Sequence, residues 1–332
     1  LKNTENPILA TYWQDINLTI KWRELIEKAW NDREILHEST EFNCWRIFHG
    51  YTEGAKGVVI EKFGTMALIE YKDDISEDLD TIKDALLTHF PFTLILAKGD
   101  QSIGLRLKHR LFPLHGSFSD APKFAEEYGI KYALLPDAMH NCGLYLDARP
   151  VRKWLANNSE GRRILNLFSF TGSLGIAAIK GGAKSAIHLD KSKDLLPRIK
   201  MSYKENGLDL GTRSFIQGDI YKHLPKAIKN GQRFDGIILD PPPKVYKSPY
   251  SDHQPKGQDF SRLVNMCSQL LNPGGWLICL FHSFYATWDK SDTEIIESSS
   301  ETLKVIDRFT SECDFPDDNV ERKLRVTVFE KV

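Results

Sequence analysis

The chain has 332 residues, 41% hydrophobic and 27% charged, with a net charge of −1. That length favours two domains, each able to bury a core, and the composition is that of a soluble globular protein rather than a disordered or fibrous one. A near-zero net charge excludes global attraction to nucleic acid, so a polyanion site must come from local clusters such as RLKHR (106–110) or Lys244 and Lys247, which solvated surface also explains.

No apolar run reaches the ~20 residues of a membrane helix, and the opening LKNTENPILATYWQDI lacks the layout of a secretory signal. A cytoplasmic protein with no membrane partner is expected. The five cysteines (Cys44, Cys142, Cys267, Cys279, Cys313) include no C-x-x-C pair. Reduced thiols are expected, with neither a disulfide framework nor a metal site.

In chain order, KWRELIEKAWNDREIL (21–36) predicts a helix and GVVIEKFGTMALIEY (57–71) a hairpin around Phe63, Gly64 and Thr65. DISEDLDTIKDALLTHF (74–90) predicts a helix stopped by Pro91, and TLILAK (93–98) a strand. These elements predict a small α+β domain within residues 1–110. Residues 111–150 are expected to connect it to a second domain at 151–332, with KYALLP (131–136) beginning the approach.

From residue 162 strands and helices alternate, the pattern of a mostly parallel, helix-covered sheet. RILNLF (163–168), SAIHLD (185–190), RSFIQGD (213–219), FDGIILD (234–240) and WLICLF (276–281) are the predicted strands. SLGIAAIK (173–180), DLLPRIKMSYKEN (194–206) and DFSRLVNMCSQLL (259–271) are the intervening helices, with Pro197 requiring a late start or a kink in the second. A further helix is expected near 291–303. KVIDRFT (304–310) and KLRVTVFE (323–330) then lie too close for a crossover helix, so the last strand should return antiparallel.

Between the first two of these strands, NLFSFTG (166–172) turns on small residues into a helix, a geometry that offers free backbone N–H groups to a ligand. Gly172 and Gly175 give only G-x-x-G, so the dinucleotide fingerprint G-x-G-x-x-G is absent. Asp190, Asp219 and Asp240 each end a strand. In a doubly wound sheet such an acid can hold ribose hydroxyls, or it can simply cap the next helix. The prolines of ILDPPPK (238–244) stiffen the turn after Asp240 and remove N–H donors, presenting acceptors to a flat polar group.

GLYLDAR (143–149), NLFSFTG, Asp190, GD (218–219), LDPPPK (239–244) and NPGGWL (272–277) together resemble the class I S-adenosylmethionine-dependent methyltransferases. Among them, the similarity is to the bacterial ribosomal RNA group that includes the large-subunit cytosine-5 methyltransferases. NCWRIFHGYTEGAKGVVIEKFG (43–64) is similar to that family's middle domain, and these residues start too late to contain its RNA-binding PUA module.

The resemblance implies an α/β, Rossmann-like fold whose mostly parallel seven-stranded sheet ends in an antiparallel strand, preceded by the small α+β domain. It implies S-adenosyl-L-methionine as cofactor and RNA (ribosomal RNA foremost) as substrate and partner; a homodimer is a candidate assembly. By the same resemblance, the stretch from Asn166 through Gly172, with Phe168, Ser169 and Thr171 in it, lines the methionine portion, and Asp190 with Lys191 beside it holds the ribose. Asp219 then faces the adenine amine and Ile220 its ring. Asp147 and Arg149 close the site, Arg149 pairing with the cofactor carboxylate. Asp240 and the prolines that follow it, Pro241 first, border the methyl group and the target base.

Enzymes that methylate carbon 5 of cytosine first add a cysteine thiolate to carbon 6. Related sequences carry that cysteine just after the fifth strand, where this chain has His282, in FHSF. Asp240 and His282 are therefore the catalytic candidates, as proton acceptor and as base or binding residue. Phe281, Phe284 and Tyr285 are candidates for stacking on a base, or are core. Two alternatives are a methyltransferase-like binding protein without turnover and a nicotinamide-dependent oxidoreductase. The missing glycine and LDPPP disfavour the latter.

Overall fold

The computed structural model describes residues 21–73, 75–99, 111–137, 142–211, 214–242, 259–281, 287–317, 319 and 323–332. RLKHR at 106–110, Lys244, Lys247, His282, Phe284 and Tyr285 lie outside the described residues.

The front of the chain forms a five-stranded sheet in the order β1 (Cys44–Phe48), β2 (Val58–Phe63), β3 (Met66–Tyr71), β4 (Leu94–Gly99), β5 (Leu111–His115). β2 and β3 form the expected hairpin, turning at Gly64 with φ 58°. α3 (Leu79–His89) carries the chain from β3 to a parallel β4. β5 pairs antiparallel with β4. Leu111–His115, expected in the connecting segment, is thus an edge strand of the front sheet.

The single helix expected over 21–36 is broken into α1 (Trp22–Asn31) and α2 (Glu34–His37). Arg33 leaves helical dihedrals (φ −114°, ψ 21°). Its buried guanidinium donates to Ala29 O at 2.9 Å and Glu53 Oε1 at 2.7 Å, contacts that a continuous helix could not keep.

β6 (Phe124–Glu127) and β7 (Ile130–Ala133) form a two-stranded hairpin between the two large sheets. After α4 (Arg149–Asn158), the second sheet runs in the order β10-β9-β8-β11-β12-β14-β13. Its strands are β8 (Arg163–Leu167), β9 (Ser185–Asp190), β10 (Phe215–Gln217), β11 (Phe234–Leu239), β12 (Leu271–Phe281), β13 (Leu303–Thr310) and β14 (Arg325–Lys331). β8 to β12 are parallel, and β14 inserts antiparallel between β12 and β13. Burial on both faces explains why these strands read as near-continuous apolar runs.

The crossovers are α5 (Ser173–Lys180), α6 (Leu196–Glu205), α7 (Ile220–Lys229), α8 (Asp259–Leu270) and α9 (Trp288–Ser298). Pro197 sits in the first turn of α6, where its missing N–H has no intrahelical partner to lose, so the helix starts late and does not kink. α9 begins earlier than expected because Thr287 Oγ1 accepts from Lys290 N. Among the described residues no helix is long and apolar enough to cross a membrane.

One face of the front sheet, through Phe63, Met66, Leu68, Leu94 and Leu96, shares a core with Leu144, Leu146, Val151 and Leu155. Each such fully buried side chain contributes roughly 1.5–3 kcal/mol. The front sheet is thereby welded to the second sheet through α4.

Candidate active site

Chain order in the second sheet reverses at β8: the chain runs outward through β9 and β10, then returns to β11 on the other side of β8. The crevice beyond the carboxyl ends of such strands is where open α/β sheets bind ligands. Here it is a cavity of about 680 Å³ walled by the ends of β8, β9 and β11 and the loop before α4.

The turn after β8 is wound tightly. Phe168 (φ 54°), Phe170 (φ 47°) and Gly172 (φ 80°) alternate through the left-handed region, which only the glycine enters without strain. Two bulky residues held there cost about 1–3 kcal/mol each, so the surroundings must fix them. Asp190 supplies one clamp, since its Oδ2 accepts from Phe170 N at 3.0 Å while Oδ1 accepts from Ser192 N at 2.9 Å. Thr171 Oγ1 supplies another by donating to Gly143 O at 2.6 Å. GLYLDAR and FSFTG are thus joined directly.

Gly172 and Gly175 have a packing reason. A Cβ on Gly175 would lie 2.5 Å from His188 Cε1, and one on Gly172 3.1 Å from the same atom. His188 is fully buried, with Nε2 2.9 Å from the Tyr203 hydroxyl and Nδ1 3.3 Å from Asn166 Nδ2. Burial lowers the imidazole to about 4. The G-x-x-G spacing lets α5 settle onto this neutral ring.

Of the residues singled out in the sequence, Asp147, Phe168, Ser169, Asp190, Lys191, Asp219, Ile220, Asp240 and Pro241 line the cavity. Asn166, Thr171 and Gly172 do not, and they support its floor from beneath. Asp219 also caps α7, its Oδ1 accepting from Tyr221 N at 3.0 Å, and it stands 3.7 Å from Lys191 Nζ.

Arg149 is placed differently from expectation. It is fully buried, donating to Glu312 Oε2 at 2.6 Å, Asp314 Oδ2 at 2.8 Å and Cys44 O at 3.1 Å, and it does not line the cavity. Burial alone would lower its guanidinium, but Asp314, Glu127 and Glu312 outweigh that and hold it charged. Its role is to bind the front sheet to the last strands.

Phe170 and Pro242, within the stretches expected at the site, line the cavity as well, while sequence reasoning passed over Tyr145, Ala148, Arg152, Ser173, Leu174 and Tyr221, all on its wall. Arg152 donates to both oxygens of the buried Glu127 (2.5 and 2.8 Å) and to Tyr145 O at 2.9 Å. Phe281, a stacking candidate, is 4% exposed and packs on Phe260 in the core.

No cysteine lines the cavity among the described residues. Cys142, Cys267 and Cys279 are buried, and burial pushes their thiols up. Cys313 is exposed, but its partial burial and the charges of Asp314 and Glu312 also raise it. None has the depressed pKa of a reactive thiol.

A seven-stranded sheet with one inserted antiparallel strand and an acid-lined cavity at its switch point defines a Rossmann-like nucleoside-binding enzyme. The chain belongs to the S-adenosylmethionine-dependent methyltransferase family, whose model matches residues 64–330. It is 28% identical over 321 residues to the ribosomal RNA large subunit methyltransferase I of Cronobacter sakazakii, covering 93% of this chain and 80% of that one. It is 30% identical over 258 residues to the protein of that name from Aeromonas salmonicida, covering 76% and 64%. A methyltransferase structure solved in complex with S-adenosylhomocysteine shares the fold, with TM-score 0.81 and 22% identity over 99% of this chain and 83% of that one.

The cavity residues fit S-adenosylmethionine. Ser169 presents on the wall a buried hydroxyl with no hydrogen-bond partner among the described residues. Each Asp190 oxygen accepts only one backbone N–H and so keeps a lone pair for a ribose hydroxyl.

Proposed function

We propose that this protein methylates a base of RNA, ribosomal RNA first, without a cysteine nucleophile. The convergence of Asp190, Asp219 and Asp240 on one cavity, in a chain whose relatives are named for ribosomal RNA, carries the reading. Bound S-adenosylmethionine supplies a methyl group made electrophilic by a positively charged sulfonium.

Asp190 holds the ribose and Lys191 adds positive charge beside it, while Asp219 and Ile220 receive the adenine. The first turn of α5, with Ser173 and Leu174 on the cavity wall, offers N–H groups without intrahelical partners to the amino-acid carboxylate, the task first assigned to Arg149. Ser169 and Phe168 orient the same end, and Asp147 closes it. Asp240, with Pro241 and Pro242 beyond it, borders the acceptor and takes its proton, so proximity and alignment suffice for a nitrogen acceptor. His282 is the second candidate for that step. Residues 151–332 form the cofactor-binding domain in this reading, and the protein acts in the cytoplasm. Light scattering decides between a monomer and a homodimer.

The test is transfer of labelled methyl to RNA from cells lacking the gene, with mass spectrometry of the nucleosides. RNA that acquires no label overturns the substrate class. A covalent complex trapped by RNA containing 5-fluorocytosine overturns the cysteine-free route.

A further inference from the structure

Tyr145 combines an open side chain with a fixed backbone. The residue is 48% exposed, yet its carbonyl is held from the interior. Tyr145 O accepts from Arg152, whose guanidinium is 1% exposed and held at both oxygens of Glu127. Phe170 braces the ring from one side, with centroids 5.4 Å apart and planes at 50°. Phe170 is itself fixed, in a left-handed backbone conformation, by the Asp190 carboxylate.

An aromatic ring that is buttressed behind and open in front is pre-organised to stack, because little side-chain freedom is lost on contact. Its position decides what it would meet. Tyr145 lies within electrostatic reach of Asp240 and Asp147, whose charges add to desolvation in raising its hydroxyl to about 12. The phenol therefore stays a neutral donor. Asp240, Pro241 and Pro242 line the same cavity, and the prolines add a rigid apolar surface with no N–H to satisfy.

We propose that Tyr145 is the recognition residue for the acceptor, its ring stacking on a nucleobase drawn from a single strand into the part of the cavity bordered by Asp240, Pro241 and Pro242. This rests on the RNA reading above and deepens it. A base must leave its stack to reach the cavity, and a buttressed aromatic replaces the neighbour it loses. Because every base presents a π-face, Tyr145 contributes affinity, and the acids beside it are left to discriminate the base edge.

The experiment compares wild type, Tyr145→Ala and Tyr145→Phe in two assays: calorimetric binding of S-adenosylhomocysteine, and methyl transfer to RNA from cells lacking the gene. Tyr145→Ala should keep its affinity for S-adenosylhomocysteine within about threefold, which also reports that it has folded. Its kcat/KM for RNA should fall by about tenfold to a hundredfold, the range for one lost base–aromatic stack. Tyr145→Phe, which keeps the ring, should recover most of that loss. Equal transfer by wild type and Tyr145→Ala overturns the inference alone. Lost cofactor affinity in Tyr145→Ala overturns it too, by assigning the ring to the cofactor. A wild type that labels no RNA overturns the functional reading, and this inference with it.

Discussion

Two regions of the molecule are equally rich in charge and differ in what the charge is for. At the seam between the sheets, Arg149, Arg152, Glu127 and Asp314 are all within 1% of complete burial and are paired with one another. In the cavity, Asp190 keeps acceptor capacity and Ser169 has no hydrogen-bond partner among the described residues. Charge density alone marks neither region as functional. Charge that faces charge is architecture, and charge that faces an open cavity is a site.

The largest expected effect tests the cavity half of this contrast. Asp240→Asn should lower kcat for methyl transfer by about 10²–10⁴-fold, the range for loss of a general base, while S-adenosylhomocysteine still binds. Retained turnover would remove Asp240 from the chemistry. The seam half is tested by Glu127→Ala, which strands Arg152 in the interior and weakens the support of Arg149. It should destabilise the fold by about 3–5 kcal/mol in denaturant titration. A small loss would mean that solvent reaches the seam.

Asp190→Ala lies between these, since the carboxylate both clamps Phe170 and holds the ribose. Calorimetry should show S-adenosylhomocysteine affinity reduced by about 1–3 kcal/mol. The contrast sharpens further with pH. His188 and His49 are both lowered by burial, from 6.5 to about 4. Folded-state values below the unfolded ones mean that the unfolded chain takes up protons first as pH falls. Their contribution is therefore fully present above about 6.5 and is lost between there and about 4. The melting temperature should drop over that window, less steeply in His188→Gln. Smallest of all, Cys313→Ala should leave transfer within twofold of wild type.

The strand-terminal acids were legible because they follow a period the sequence displays: an apolar run, then Asp, then a helix. The glycine bend was legible as a bend but not in its cause, since His188 lies 16 residues beyond Gly172 and meets it only once β9 is paired. Arg149 was misassigned because GLYLDAR places it beside Asp147 in sequence. In space the helical start of α4 turns it toward Asp314, 165 residues away. Tyr145 went unnoticed for a related reason. Exposure is a tertiary outcome, and in a linear string this aromatic looks like core.

The connection between β13 and β14 sends Asp314 to two distant places: it accepts from Arg149 and, at 3.1 Å, from the backbone N–H of Arg46, 268 residues earlier. The Arg46 backbone contact and the Arg149–Asp314 pair therefore form only after the segment between β13 and β14 has been synthesised, so the front sheet receives this tie later than the apolar core it shares with α4.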